Sequence, residues 1–239
     1  MKQKIPLEIL KKQGLVLPQE IEGVKTFYQE IKAKEVVEVS LAQDTANIYI
    51  VLSGNGRISA GDKDTEINGM AIYIPKKADK ISISAASDLE VLQIVWQLTK
   101  EESASINQES FPYYLRYNDA KTYKEAIKSP KTINRTLVHE DLIPRFCMGS
   151  VETEGPDAVG AHSHPMLEQH FFGLNNNYCY VKADEAEILF PERALLHIPL
   201  GSEHSVRVED GKKLHYIWID YFRDAAGVEW IKKMHKSDE

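Results

Sequence analysis

Three histidines and a glutamate fall within nine residues of the stretch GAHSHPMLEQHFFG at 160–173: His162, His164, Glu168 and His170. Residues two apart along an extended chain point to the same face, so a regular strand would set all four on one side. A line of that length cannot close on one ion. His162 and His164 are near neighbours, however, and Glu168 joins them if the chain bends near Pro165. A further donor has to come from elsewhere, and the best placed is His204 in IPLGSEHSV, where Pro199 and Gly201 mark a turn into the following strand. Imidazoles with one carboxylate form a borderline nitrogen and hard oxygen set suited to one divalent transition metal: Fe, Mn, Ni or Zn. Four protein donors leave one or two positions on such an ion open to water or substrate. His170, if it continues the inward parity, lies deeper than Glu168 and is a candidate general base near neutral pH.

All eight histidines lie at position 139 or later, so the second half of the chain uses imidazole and the first half does without it. At 239 residues the chain holds one large domain or two of ordinary size, and either buries a substantial core. A hydrophobic share of 43% with 27% charged residues is that of a globular protein rather than a disordered or fibrous one. The formal charge of −7 argues against a role in neutralising phosphate backbones, so nucleic acid is not an expected partner. No apolar run of signal-peptide length precedes Lys11 and none later reaches membrane-span length, from which a cytoplasmic chain without membrane contact is expected. Cys147 and Cys179 stand alone in apolar settings and read as buried free thiols.

Short β-branched and aromatic segments separated by Gly, Asp, Asn and Pro run through most of the chain and predict an all-β protein. The reading places an arm with a short helix at 1–34, a β module at 35–98, a connector with a short helix around DAKTYKEAIK at 99–134, a second β module at 135–223 and an amphipathic helix at 224–239. The two modules resemble each other. Aligning Leu52-Ser53-Gly54-Asn55 with Leu174-Asn175-Asn176-Asn177 gives an offset of 122, which also sets Val95-Trp96 on Ile217-Trp218, while Ile74-Pro75 meets Ile198-Pro199 with two extra residues between. Two copies of one β domain is the economical explanation. The same alignment puts Ser40, Ala42, Ala46 and Lys80 where His162, His164, Glu168 and His204 stand, so the first copy is expected to lack metal ligands.

His162-Ser163-His164 followed after three residues by Glu168 resembles the first motif of the cupin family, and Pro199-Leu200-Gly201 followed after two residues by His204 resembles the second. The resemblance implies that the two histidines, the glutamate and the last histidine bind a divalent metal inside a small jelly-roll barrel, and the repeat extends it to a two-barrel, or bicupin, chain. The sequence departs from the pattern at Gly173, which has four residues between it and Glu168 instead of the usual six, and at Val208, where Asn is common.

The resemblance implies a metal-dependent enzyme on a small polar substrate, a carbohydrate or a keto or hydroxy acid, with Lewis-acid chemistry of the isomerase or epimerase type. An iron-dependent dioxygenase and a non-catalytic small-molecule binder are the alternatives, since fold does not choose among them. Tyr178, Tyr180, Arg145, Tyr216, Trp218 and Asp220 lie on neighbouring candidate strands and are available to line the pocket; His139, His197, His215 and His235 read as structural or exposed. The expected assembly is a monomer in which the two barrels form a pseudo-dimer, or else a homodimer.

Overall fold

The structure, a computed structural model, describes residues 4–125 and 128–236, the side chains of 233–236 excepted. His235 therefore lies outside the described side chains. Strands dominate because short β-branched runs alternate in burial: in VKTFYQEI, Val24, Thr26, Tyr28 and Ile31 are buried while Lys25 is exposed. That run falls in the arm expected to hold a helix. The expectation fails because 24–28 alternates with period two, and the arm forms three strands, at 7–9, 14–16 and 24–31.

In chain order the first elements are β1 (Leu7–Ile9), β2 (Gly14–Val16), β3 (Val24–Ile31), β4 (Val36–Ser40), β5 (Thr45–Ser53), β6 (Asn55–Ala60), β7 (Lys63–Asn68), β8 (Ala71–Ile74), β9 (Lys80–Ala85), β10 (Leu89–Gln97), α1 (Lys100–Ser105) and β11 (Tyr113–Arg116). There follow β12 (Thr122–Tyr123), β13 (Ile133–Ile143), β14 (Phe146–Glu154), β15 (Asp157–His162), β16 (Leu167–Gly173), β17 (Tyr178–Ala183), β18 (Ala186–Pro191), β19 (Ala194–Ile198), β20 (His204–Val208), β21 (Lys213–Phe222) and α2 (Ala225–Lys236). The chain divides into two units, one of residues 11–120 and one that joins the N-terminal ten residues to 121–239. The connector is thus split. Its first part gives α1, held by a capping box between Thr99 and Glu102, and β11 on the edge of the first unit; its second part belongs to the second unit, where Thr122 and Tyr123 form a strand in place of the expected helix. Residues 126–127 of that expected helix lie outside the described residues.

Each unit is a pair of antiparallel sheets enclosing one core. The first orders its strands β11-β8-β5-β10-β3-β2 and β4-β9-β6-β7; the second orders them β1-β19-β16-β21-β14-β13-β12 and β15-β20-β17-β18. The orders correspond strand for strand, with β12 as the one addition, so the duplication is present in the topology. The architecture is all-β, two jelly-roll barrels in tandem. An outlying strand covers the edge of β8 in one barrel and of β19 in the other, and covered edges keep unpaired amides from recruiting other chains.

The register corrects the residue alignment. Core-facing Val37 and Ile83 pair in the first barrel and are followed inward-parity by Val39 and Ile81; in the second, Val159 and Val206 pair and are followed, across a bulge, by His162 and His204. Val39 and Ile81 therefore occupy the histidine rung, whereas Ser40 and Lys80 point away, the Lys80 side chain being exposed. Trp96 and Trp218 likewise fail to match: Trp218 packs on the core, and Trp96 has the opposite parity to the core-facing Val91.

Both cysteines are free and buried. At the end of the second barrel α2 lays Val228, Trp230 and Ile231 on Cys147, Leu167 and Phe222. Among the described residues no helix is long and apolar enough to cross a membrane.

Gly149 pairs with Trp218 across β14 and β21, and a Cβ there would lie 2.3 Å from the indole and 2.5 Å from the Arg135 carbonyl oxygen. Neither neighbour is a flexible side-chain end. Gly149→Ala is expected to lower stability by about 3 kcal/mol through overpacking, read as a lower urea midpoint; an unchanged midpoint would show that the indole yields.

Candidate metal centre

Antiparallel pairing sets His162 at the end of β15 directly opposite His204 at the start of β20. Their ring centroids are 4.4 Å apart, and His164, two residues on, stands 4.9 Å from His162 and 5.5 Å from His204. One ring nitrogen from each of the three lies within 4.8 Å of the others, the one such group among the described residues. His204 is buried, and its two partners are half-buried.

Backbone carbonyls aim the rings. His162 Nδ1 is 2.8 Å from the Gly160 oxygen and His204 Nδ1 is 3.1 Å from the Ser202 oxygen. A carbonyl oxygen only accepts, so each Nδ1 carries the proton and each Nε2 keeps its lone pair. His204 Nε2 is buried and has no hydrogen-bond partner. Burial lowers the His162 pKa, and burial with the neighbouring His162 brings His204 down to about 4, so both rings are neutral at pH 7.

The glutamate does not join them. Glu168 lies on the other face of β16, with Oε1 3.7 Å from His197 Nε2 and Oε2 3.4 Å from Arg223. His170 shares that face: it is buried, sits 3.4 Å from the Tyr221 hydroxyl, and is held by burial at a pKa of about 3. Neither fills the role expected from a regular strand, because the turn at Pro165–Met166 breaks the alternation between His164 and β16. The inward residue is Gln169, in register with Asp220 of β21. Its Nε2 donates to Asp220 Oδ1 at 2.8 Å, which leaves its buried Oε1 facing the cavity with no hydrogen-bond partner. Asp220 also accepts from the Cys147 thiol at 3.8 Å, and burial raises its pKa to about 7 against the pull of those two donors.

Parity was hidden from the sequence because both faces of β16 are buried, so no polar and apolar alternation marks which side is inside. Of the other candidates, Tyr216, Trp218 and Asp220 line the cavity. Tyr178 is exposed, Tyr180 lies beneath Arg207, and Arg145 donates to the Phe222 carbonyl. His139 accepts from the Asp141 amide and His215 stands 4.0 Å from Glu152, both away from the cluster. Glu125 and Lys128 also line the cavity, and no signal in their sequence context marked them.

The donors fit a divalent transition ion: three converging imidazoles, two with fixed tautomers, and an orphaned amide oxygen on a residue of the same cavity. The cavity measures about 70 Å³, space for roughly five waters at the usual allowance per molecule.

No family model matches the chain, and no curated protein is similar to it in sequence. Solved structures are similar in fold. An IolB-like protein from Salmonella typhimurium superposes with a TM-score of 0.73 at 13% identity, covering 91% of this chain and 92% of its own. The oxalate decarboxylase of Lactobacillus farciminis, in complex with formate, gives 0.68 at 12% over 90% and 83%. Procruciferin, an 11S globulin of Brassica napus, gives 0.69 at 9% over 92% and 85%. Strand order, duplication and these likenesses agree: the chain has the fold of the two-barrel cupin proteins, with its histidine cluster in the second barrel.

Proposed function

We propose that the second barrel holds one divalent transition metal, Fe, Mn, Ni or Zn, on His162, His164 and His204 with Gln169 Oε1 as the neighbouring oxygen donor, and acts as an enzyme on a small polar substrate. The observation that carries this reading is the convergence of three imidazoles at a small cavity. Such an ion supplies Lewis acidity toward a carbonyl or hydroxyl oxygen. The chain's own part is to hold the donors. Gly160 and Ser202 fix two rings through their carbonyls, Asp220 fixes the Gln169 amide, and the apolar walls Phe171, Trp218 and Ile231 restrict water. The cavity size favours a substrate of a few carbons, a small sugar or a keto or hydroxy acid. That an oxalate decarboxylase shares the fold supports the acid end of this range, and that an 11S globulin shares it too leaves the weight of the argument on the histidines. A small molecule is accordingly the proposed partner, with neither nucleic acid nor membrane, in a cytoplasmic monomer or homodimer.

Elemental analysis of protein purified without added metal tests the centre. About one transition metal per chain is expected, lost together with turnover in His162→Ala/His204→Ala while the circular dichroism of the barrels persists. A full complement of metal in that variant would refute the assignment.

The inward residue of β16 gives a second test. Gln169→Ala is expected to weaken metal affinity by about tenfold or more, the range in which supporting donors act, whereas Glu168→Gln should leave it within about threefold. The reverse ranking, measured by competition with a chromogenic chelator, would return the oxygen donor to Glu168.

A further inference from the structure

The metal reading leaves a half-buried ion pair in the same cavity unused. Lys128 Nζ pairs with the Glu125 carboxylate, their side chains are 7% and 21% exposed, and both line the cavity with His162 and His204. The surrounding chain is tied down. Lys128 bridges Val159 of β15 through its backbone, and the adjacent Ser129 donates its hydroxyl to Asp157 Oδ2 at 2.6 Å. Lys124 Nζ donates to the carbonyls of Pro130 and Thr132 at 2.7 and 2.9 Å. An ammonium is thereby fixed against the strand that ends in His162. Taking both charges of a pair out of water is seldom repaid by their attraction, so a wall built for stability alone would be apolar at this place.

We propose that the substrate carries a carboxylate and that Lys128 is the residue that binds it, with Glu125 holding the ammonium in place until the substrate arrives. This rests on the metal reading above. Imidazole and amide donors bring no negative charge of their own to a divalent ion, which favours an anion over a neutral sugar. Lys128 adds a second positive group on the same cavity. Glu125 is the more exposed member of the pair, so it is the one able to turn toward water when a substrate carboxylate displaces it. Burial lowers the Lys128 pKa, and Glu125 opposes that shift, which is the service an incoming carboxylate would take over. A cavity of about 70 Å³ admits an acid of two to four carbons, a size estimated from the volume of a few waters.

The cobalt(II)-loaded chain, titrated with pyruvate and with hydroxyacetone as its uncharged counterpart and followed by the visible absorption of cobalt, tests the assignment. Pyruvate is expected to bind at least about tenfold more tightly, the usual scale of a charge-assisted contact. Lys128→Met should abolish that preference, Lys128→Arg retain most of it, and Glu125→Gln tighten pyruvate binding by removing the competitor. Cobalt retained with equal affinity for the two probes, or a preference that survives Lys128→Met, would overturn the carboxylate assignment and leave the metal reading standing. Failure of the parent chain to take up cobalt would overturn both. Should Lys128→Met not hold cobalt, Glu125→Gln decides: tighter pyruvate supports the proposal, and unchanged or weaker binding refutes it.

Discussion

Cross-strand pairing of His162 with His204 is the constraint on which the site depends. Two imidazoles on one antiparallel rung are neighbours by geometry, with no loop required to find the other. Each is then turned by a carbonyl two residues before it in its own chain, Gly160 for one and Ser202 for the other. These local bonds leave both Nε2 lone pairs pointing into the barrel, and the bulge between Val159 and His162 sets the side chain inward where a regular strand would have carried it out. Burial completes the arrangement by keeping the rings neutral.

The first barrel shows what the same framework does without that rung. Val39 and Ile81 stand in place of the two histidines and join its core. Tyr49, which corresponds to Phe171, meets Tyr73 with ring centroids 6.4 Å apart, and both are fully buried. Asn47, the counterpart of Gln169, does not offer a free oxygen: its Oδ1 accepts from Gln93 at 3.0 Å, and Gln93 also donates to the Tyr49 hydroxyl at 3.2 Å. Large rings and a satisfied Asn47 amide fill the interior of the first barrel, whereas in the second the amide oxygen of Gln169 and the Nε2 of His204 are left without partners. Buried polar atoms without partners are costly, and a ring nitrogen and an amide oxygen so placed on two residues of one cavity fit a site arranged for a ligand.

The all-β class, the duplication and three of the site histidines were legible because they depend on local pattern: β-branched runs between turn residues, and a His-x-His with a later histidine behind a Pro and Gly turn. Register and parity were not. Leu167 to Gly173 is buried on nearly every residue, so Glu168, Gln169 and His170 carry no outward sign of which faces inside. The turn at Pro165 shifts parity by one, and that single residue exchanges Gln169 for Glu168. The same one-residue ambiguity placed Lys80 and Ser40 on a rung that belongs to Ile81 and Val39. The helix expected near the N-terminus failed because that mixture of charged and apolar residues pairs as strands, β1 on β19 and β2 on β3.

The cavity needs more than the repeated framework. The stretch before β13 has no counterpart in the first barrel, and with α2 it finishes the second: β12 adds a strand beside β13, Lys128 bridges Val159 while Ser129 is bonded to Asp157, and α2 brings Ile231 to the cavity wall. Tyr123, Glu125 and Lys128 therefore enter from a stretch that a comparison of the two repeats would set aside as linker. Duplication supplies a rigid rung on which donors can be placed, and the unduplicated segments decide what else the cavity presents to a ligand. On the proposed reading, metal ligation and ligand choice are carried by different parts of the chain, so the rung can be retained while residues around Lys128 change, and selectivity would alter without disturbing the histidines.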